Sequence, residues 1–564
     1  MQYLQNKLTF SGFYGKIETL YNRYRTYGIH FTQRFPKAER QIFDTRWILN
    51  QKGECLIMTT AITLAMLIVY IAIMMGIGIY TASKTKSVSD FVLGGNSVGS
   101  WLTAFAYGTS YFSAVVFIGY AGQFGWNYGV SSTWIGIGNA VLGSALAWLV
   151  LGRRTRLMSN HLQAKTMPEF FGNRFQSVSL KIAAALIVFV FLIPYTASVY
   201  NGLSRLFNMA FDLESDASYR IIIIAMAIVT AIYVILGGYA ATALNDFIQG
   251  IVMLIGIAAV VVCTLNNHGG FSESLRQMGE IEQGQYATLF GPEPLNLLGV
   301  VILTSLGTWG LPQMIQKYFG IKDDKQAKRG VVISTFFALL VAGGGYFIGS
   351  LCHRFFTVGV DMPSADYIVP NMLKAANLSS ILLGIIVVLL LSASVSTLCS
   401  ITLSASSTLT IDLVATKIKP DIDDKGKSRL TKILCVLFIM LSYVVANTKT
   451  PILDMMSYSW GIISGSFLAP YVLALYSKKL NKQGAWAGII AGFVIAIIPA
   501  GCKILNLCGV NSSLVLKLLA QGPLYACIAM IASIIMCLVV SLVTKNKTDK
   551  ENVEFFYNGV VDNE

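Results

Sequence analysis

Residues 379–412, SSILLGIIVVLLLSASVSTLCSITLSASSTLTID, run from a hydrocarbon-compatible half straight into a half studded with hydroxyls. An apolar stretch of this length reads as a membrane helix. Its second half, with Ser392, Ser394, Ser396, Thr397, Ser400, Thr402, Ser404, Ser406, Ser407 and Thr408 before Asp412, cannot all face lipid. Ala393, Ser396 and Thr397 fall at i, i+3 and i+4 and so share one helical face. A hard cation such as sodium takes oxygen ligands rather than thiolates or imidazoles, and this face offers them. The other reading of the same pattern is that the hydroxyls bond back to the preceding turn or hold helices together.

Composition sets the class. Hydrophobic residues make up 55% of the 564-residue chain, charged residues 12%, and mean hydropathy is +0.63, which is the profile of an all-α polytopic membrane protein. Apolar runs of about 20 residues predict thirteen spans: 58–81, 98–122, 131–152, 179–207, 220–238, 243–266, 295–316, 330–352, 380–412, 430–448, 453–476, 484–502 and 523–544. The longest connections, 267–294 and 353–379, leave no room for a separate catalytic module.

Lys and Arg gather in alternate loops, as at Arg153, Arg154 and Arg156, at Lys322, Lys325, Lys328 and Arg329, and at Lys417, Lys419, Lys425, Lys427 and Arg429. Those loops are expected in the cytoplasm. A multi-pass cell-membrane protein results, with the first span starting outside and the tail 545–564 inside. The net charge of +14 is then a topology signal, and no nucleic-acid partner is expected. Residues 1–57 carry nine Lys or Arg against four acids and no apolar run, although the topology places them outside. Either this basic leader crosses against its charge or translation begins at Met58, and the charge bias favours Met58. The leader lacks the apolar core of a signal peptide.

Nine cysteines lie singly and four histidines stand far apart in loops, which argues against a metal site or a disulfide framework; Cys502 and Cys508 are near enough in sequence to pair. No phosphate-binding glycine loop or nucleophile elbow is present, so no enzymatic activity is expected. The second span is interrupted by Tyr107, Gly108, Thr109, Ser110 and Ser113, the seventh by Gly307–Thr308–Trp309–Gly310–Leu311–Pro312. They are five spans apart, so the two groups they open enter the membrane from opposite sides. Paired broken helices in two inverted halves place an ion and solute site near the midplane; Gly and Pro serving packing alone is the plainer alternative for either break.

Seven motifs, in order, carry a resemblance. SDFVLGGNSVGSW (89–101), GTSYFSA (108–114), TMPEFFGNRF (166–175), GGYAATALNDFIQG (237–250), WGLPQMIQKY (309–318), SASVSTLCS (392–400) and SYSWGIISGSFLAP (457–470) together resemble the sodium/solute symporter family. The resemblance implies a five-plus-five inverted-repeat transport core within 98–476, one helix ahead of it at 58–81, two behind it in 484–544, and alternating access driven by Na+. It places a sodium site at the carbonyls of Thr109, Phe112 and Ala393 and the hydroxyls of Ser396 and Thr397, with Asp246 at the sodium exit. An acid at the start of a helix also has a simpler role, facing the helix dipole.

By the same resemblance the solute cradle lies among Ser110, Tyr111, Ser113, Thr304, Thr308, Trp309, Gln313, Tyr458 and Trp460, with Met314 as an inward gate. Aromatic walls with a few hydroxyls and amides suit a small polar solute. Residues 130–175 are most similar to sodium/proline symporters, and 310–330 also to the sodium/pantothenate class. Tyr111 stands where proline carriers have an acid, Asn96 where they have an arginine, and Thr304 and Thr308 where they have aromatics. The pattern from Trp309 to Gln313 is shared with sodium-coupled sugar carriers. The expected partners are therefore a small solute, sodium and the lipid bilayer. A solute carrying a carboxylate, an amino acid such as proline or an acid such as pantothenate, is the leading expectation. A membrane-embedded solute sensor on the same fold and a sugar carrier are the alternatives.

Overall fold

The computed structural model describes residues 37–82, 88–94, 99–213, 215–266, 269–355, 365–376, 379–510, 512–544 and 550–557. It divides into two units, Met1–Thr59 and Thr60–Glu564. The described part of the first is helical from Lys37; the second carries the membrane helices.

The membrane helices and the short helices packed with them at the site and the tail are, in chain order, α1 (Thr59–Thr81), α2 (Ser100–Tyr111), α3 (Val115–His161), α4 (Met167–Arg174), α5 (Val178–Ala210), α6 (Asp216–Tyr239), α7 (Ala241–Asn266), α8 (Pro294–Gly310), α9 (Pro312–Phe319), α10 (Asp324–Arg354), α11 (Ser380–Ile418), α12 (Asp424–Ala446), α13 (Ile452–Tyr476), α14 (Lys482–Asn506), α15 (Gly522–Val543) and α16 (Lys550–Tyr557); shorter helices at Val88–Leu93, Gly270–Gly279, Ile368–Ala375 and Ser513–Ala520 lie between them. Among the described residues eleven are long and apolar enough to cross a membrane, and twelve with α8 and α9 taken as one bent span. The 47 residues of α3 would reach about 70 Å at 1.5 Å per residue, more than twice a bilayer's ~30 Å hydrocarbon core. The run therefore holds two passes, turning at Gly129, where φ is 59° and ψ −137°, a conformation that costs any side chain but glycine's. Its first part joins α2 as the broken second span, and the thirteen predicted spans are then all present.

Polar residues fix where the helices start. Thr166, Ser177, Asp323, Ser379, Asp423 and Asn481 each accept the amide three residues on, which satisfies a donor that the helix itself leaves free. Burial sorts the spans: 83% of the apolar window of α11, and as much of α13, lies inside, against 28% for α1 and 33% for α14 and α15. The hydroxyl-rich helix is thus central. The lipid-facing side chains, such as Ile221, Ile255, Val332 and Val543, sit on the outer helices and are exposed.

Both breaks are present, one shifted. α2 stays helical through Tyr107–Ser110, where unwinding was expected, and within it the Thr109 hydroxyl bonds back to the Phe105 carbonyl at 2.9 Å. The chain opens only at Phe112 (φ −109°, ψ 113°) and resumes as a wide turn from Val115. In the other break Gly307–Gly310 tightens, Leu311 is extended, and Pro312 opens α9 at 51° to α8; proline at the first helical position loses no hydrogen bond. Cys502 and Cys508, near enough in sequence to pair, do not. Both are free thiols, Cys502 buried within α14 and Cys508 exposed beyond its end.

Candidate functional site

The broken second span leans on α11, and its freed backbone groups end on α11 hydroxyls. Thr397 Oγ1 lies 3.1 Å from the Ala393 carbonyl, 3.2 Å from that of Thr109 and 3.4 Å from that of Ser110. Ser394 Oγ accepts the Ala114 amide at 3.0 Å, just past the break. Ser396 donates to Asp246 Oδ1 at 2.5 Å, and its hydroxyl is 2.9 Å from that of Thr109. Thr109, Ala393, Ser396, Thr397 and Asp246, named from sequence, are therefore brought together from three helices, all buried. Phe112 is also buried, stacked on Tyr111 with ring centroids 4.2 Å apart.

The three contacts of Thr397 are hydrogen bonds from its hydroxyl, at 3.1–3.4 Å, and the cluster they tie together presents only oxygen atoms, the donor type that a hard cation takes.

The cradle residues separate into two groups. Tyr111 donates to the Thr304 carbonyl at 2.5 Å and its ring is 6.1 Å from that of Trp460, while Ser110 Oγ is 2.9 Å from Ser400 Oγ. These join both broken spans to α11 and α13. Gln313 is 1% exposed with neither amide atom bonded, and the Trp460 indole N–H and Tyr458 hydroxyl are also unbonded; buried polar groups left open in this way are what a solute would satisfy. The second group is already engaged. Ser113 Oγ accepts the Val115 amide, the hydroxyls of Thr304 and Thr308 bond back to Val300 and Ser305, and the Trp309 N–H reaches the Leu142 carbonyl on α3 at 3.1 Å. Met314 is buried on α9, one residue past Gln313.

Sequence reasoning missed one buried charge in this cluster. Lys317, on α9, is 2% exposed, with Nζ 3.5 Å from Asp246 Oδ2 and 3.0 Å from Ser400 Oγ. In the sequence it stands one residue beyond the predicted span 295–316, among the bases of the next loop; once buried, a lysine requires a partner, and Asp246 is that partner.

The model of the sodium:solute symporter family matches residues 91–492. The osmoregulated proline transporter of Bacillus subtilis is 27% identical over 438 residues, covering 76% of this chain and 87% of that protein. A sodium/proline symporter of Staphylococcus aureus is 28% identical over 448 residues, covering 77% and 85%. Among solved structures, a substrate-bound, outward-open Na+-coupled sialic acid symporter superposes with a TM-score of 0.69 at 17% identity, over 86% of this chain and 97% of that one; at that identity the likeness shows the fold alone.

Proposed function

The chain belongs to the sodium:solute symporter family, and we infer from this that it is a sodium-coupled secondary symporter importing a small carboxylate-bearing solute, with proline foremost, by alternating access. The observation that carries the ion half is the convergence of Thr109, Ala393, Ser396 and Thr397 oxygens at a helix break. We assign the carbonyls of Thr109, Phe112 and Ala393 and the hydroxyls of Ser396 and Thr397 to sodium, and Asp246 to its path toward the cytoplasm.

For the solute, Ser110, Tyr111 and Trp460 supply a hydroxyl and aromatic walls, and Gln313 a free amide. The relatives whose names specify proline support an amino acid over the sugar that the Trp309-to-Gln313 pattern suggests. The basic loops between spans support a cytoplasmic tail and an outward-facing start of α1.

Energetics allow concentrative uptake. One sodium moving through 100 mV provides roughly 2.3 kcal/mol, and a tenfold gradient about 1.4 kcal/mol more. Together they sustain a solute ratio of several hundredfold. The test is uptake of a labelled panel, L-proline, pantothenate and glucose, into proteoliposomes with and without an inward sodium gradient. Proline uptake that needs the gradient is expected; uptake of every solute at the same rate without sodium refutes the mechanism.

A further inference from the structure

Asp246 and Lys317 form an ion pair in the middle of the bundle, 1% and 2% exposed. Each charge alone would be costly in such surroundings, and each offsets the other. The pair is loosely closed: at 3.5 Å it leaves Asp246 Oδ2 without a hydrogen bond, while Oδ1 accepts from Ser396. Lys317 is held from two other sides, by Ser400 Oγ at 3.0 Å and by the face of Tyr239, 5.0 Å from the ring centroid.

The pair also closes a circuit. From Thr109 and Ser396 in the ion site the contacts run through Asp246 to Lys317, then through Ser400 to Ser110 at the solute cradle. Lys317 lies four residues beyond Gln313 on α9, whose start is the second break. One ammonium therefore touches the acid of the ion site, stands one hydroxyl away from the cradle, and rides on the helix that carries the cradle's free amide.

We propose that Lys317 is a tethered cation that neutralises Asp246 when sodium is absent and yields it when sodium arrives, a positioning residue through which ion occupancy is felt at the cradle. The proposal rests on the sodium assignment to Ser396 and Thr397. Sodium approaching the Ser396 hydroxyl meets a carboxylate already held by an ammonium, and the two cations compete for it. The ammonium shifts toward Ser400, which loosens the Ser400–Ser110 contact and moves α9 with it. A built-in competitor of this kind lowers sodium affinity in the resting protein.

Sodium alone is a sufficient probe, titrated into the purified full chain at pH 8 and followed by calorimetry. Lys317→Gln should bind sodium at least tenfold more tightly than the unaltered chain, and Lys317→Arg, which keeps the charge, should stay within about threefold of it. Because Lys317 acts through Asp246, adding Lys317→Gln to Asp246→Asn should change sodium affinity less than twofold. That comparison removes both charges and serves if Lys317→Gln alone does not fold. Equal sodium affinity in Lys317→Gln and the unaltered chain overturns the proposal. So does a tenfold effect of Lys317→Gln that persists in the Asp246→Asn background. Absence of any sodium binding by the unaltered chain would instead refute the underlying ion-site assignment.

Discussion

Replacing the Thr397 hydroxyl separates an ion ligand from helix glue. Thr397 Oγ1 contacts three carbonyls, on its own helix at Ala393 and on the last turn of α2 at Thr109 and Ser110. Thr397→Val keeps the volume and removes the oxygen; Thr397→Ser keeps the oxygen and removes a methyl group. Hydrogen bonds to charged groups are worth about 1.5–3 kcal/mol, so loss of one such oxygen from a sodium shell should raise the half-saturating sodium concentration by about tenfold to a hundredfold. Ser396→Ala with Thr397→Ala, two of five assigned oxygens, should raise it at least a hundredfold. The two neighbours share Thr109 as a partner, so their effects are not expected to add. The assay is initial uptake in proteoliposomes against sodium concentration, alongside a thermal melt of each variant. Thr397→Ser should track the unaltered chain in sodium activation while losing some stability to the vacated methyl. If the double variant and Thr397→Val melt lower yet activate at unchanged sodium, the hydroxyls only tie α11 to the broken span, and the ion assignment is wrong.

Three further outcomes are expected. Met314→Ala should leak solute inward faster with sodium half-saturation unchanged, since Met314 is buried on α9 and its thioether is no part of the oxygen cluster; counterflow against an equilibrated sodium gradient measures this. Gly238→Ala should cost about 2–4 kcal/mol or abolish folding, because φ there is 56° and the new Cβ would lie 2.6 Å from the Phe91 ring and 2.9 Å from its carbonyl; expression and melting temperature report it. Phe556→Ala with Tyr557→Ala should lower stability by about 2–4 kcal/mol, because these α16 rings cover the buried Arg174 guanidinium, at 4.6 and 5.5 Å, and Tyr557 bonds the Ala474 carbonyl at 2.8 Å; Arg174→Lys, which loses the planar stacking surface, should reproduce part of the loss.

What could be read from the chain was whatever depends on neighbours along it. Span number follows from runs of apolar residues, and the face shared by Ala393, Ser396 and Thr397 follows from helical spacing alone. The second break was located from Gly307, Gly310 and Pro312, residues whose backbone limits are intrinsic. The first was placed too broadly, over 107–113, whereas the chain opens only at Phe112 and Ser113. Gly108 permits unwinding there, but where the helix opens is decided by partners from far away in sequence, the Ser394 hydroxyl that takes the Ala114 amide and the Thr397 hydroxyl beside Thr109 and Ser110.

Lys317 fell outside the reading for the same reason. In sequence it is one base among those leading into the cytoplasmic loop, and Lys322, Lys325, Lys328 and Arg329 follow closely. Only the 51° bend between α8 and α9 swings its helix inward, so that Lys317 meets Asp246 rather than water. The bend that opens a cradle and the lysine that answers the ion-site acid are thus products of one local feature, Pro312 after an extended Leu311. A change at this break should therefore act on solute and sodium together, whereas Thr397, which contacts the other broken span, should act on sodium first.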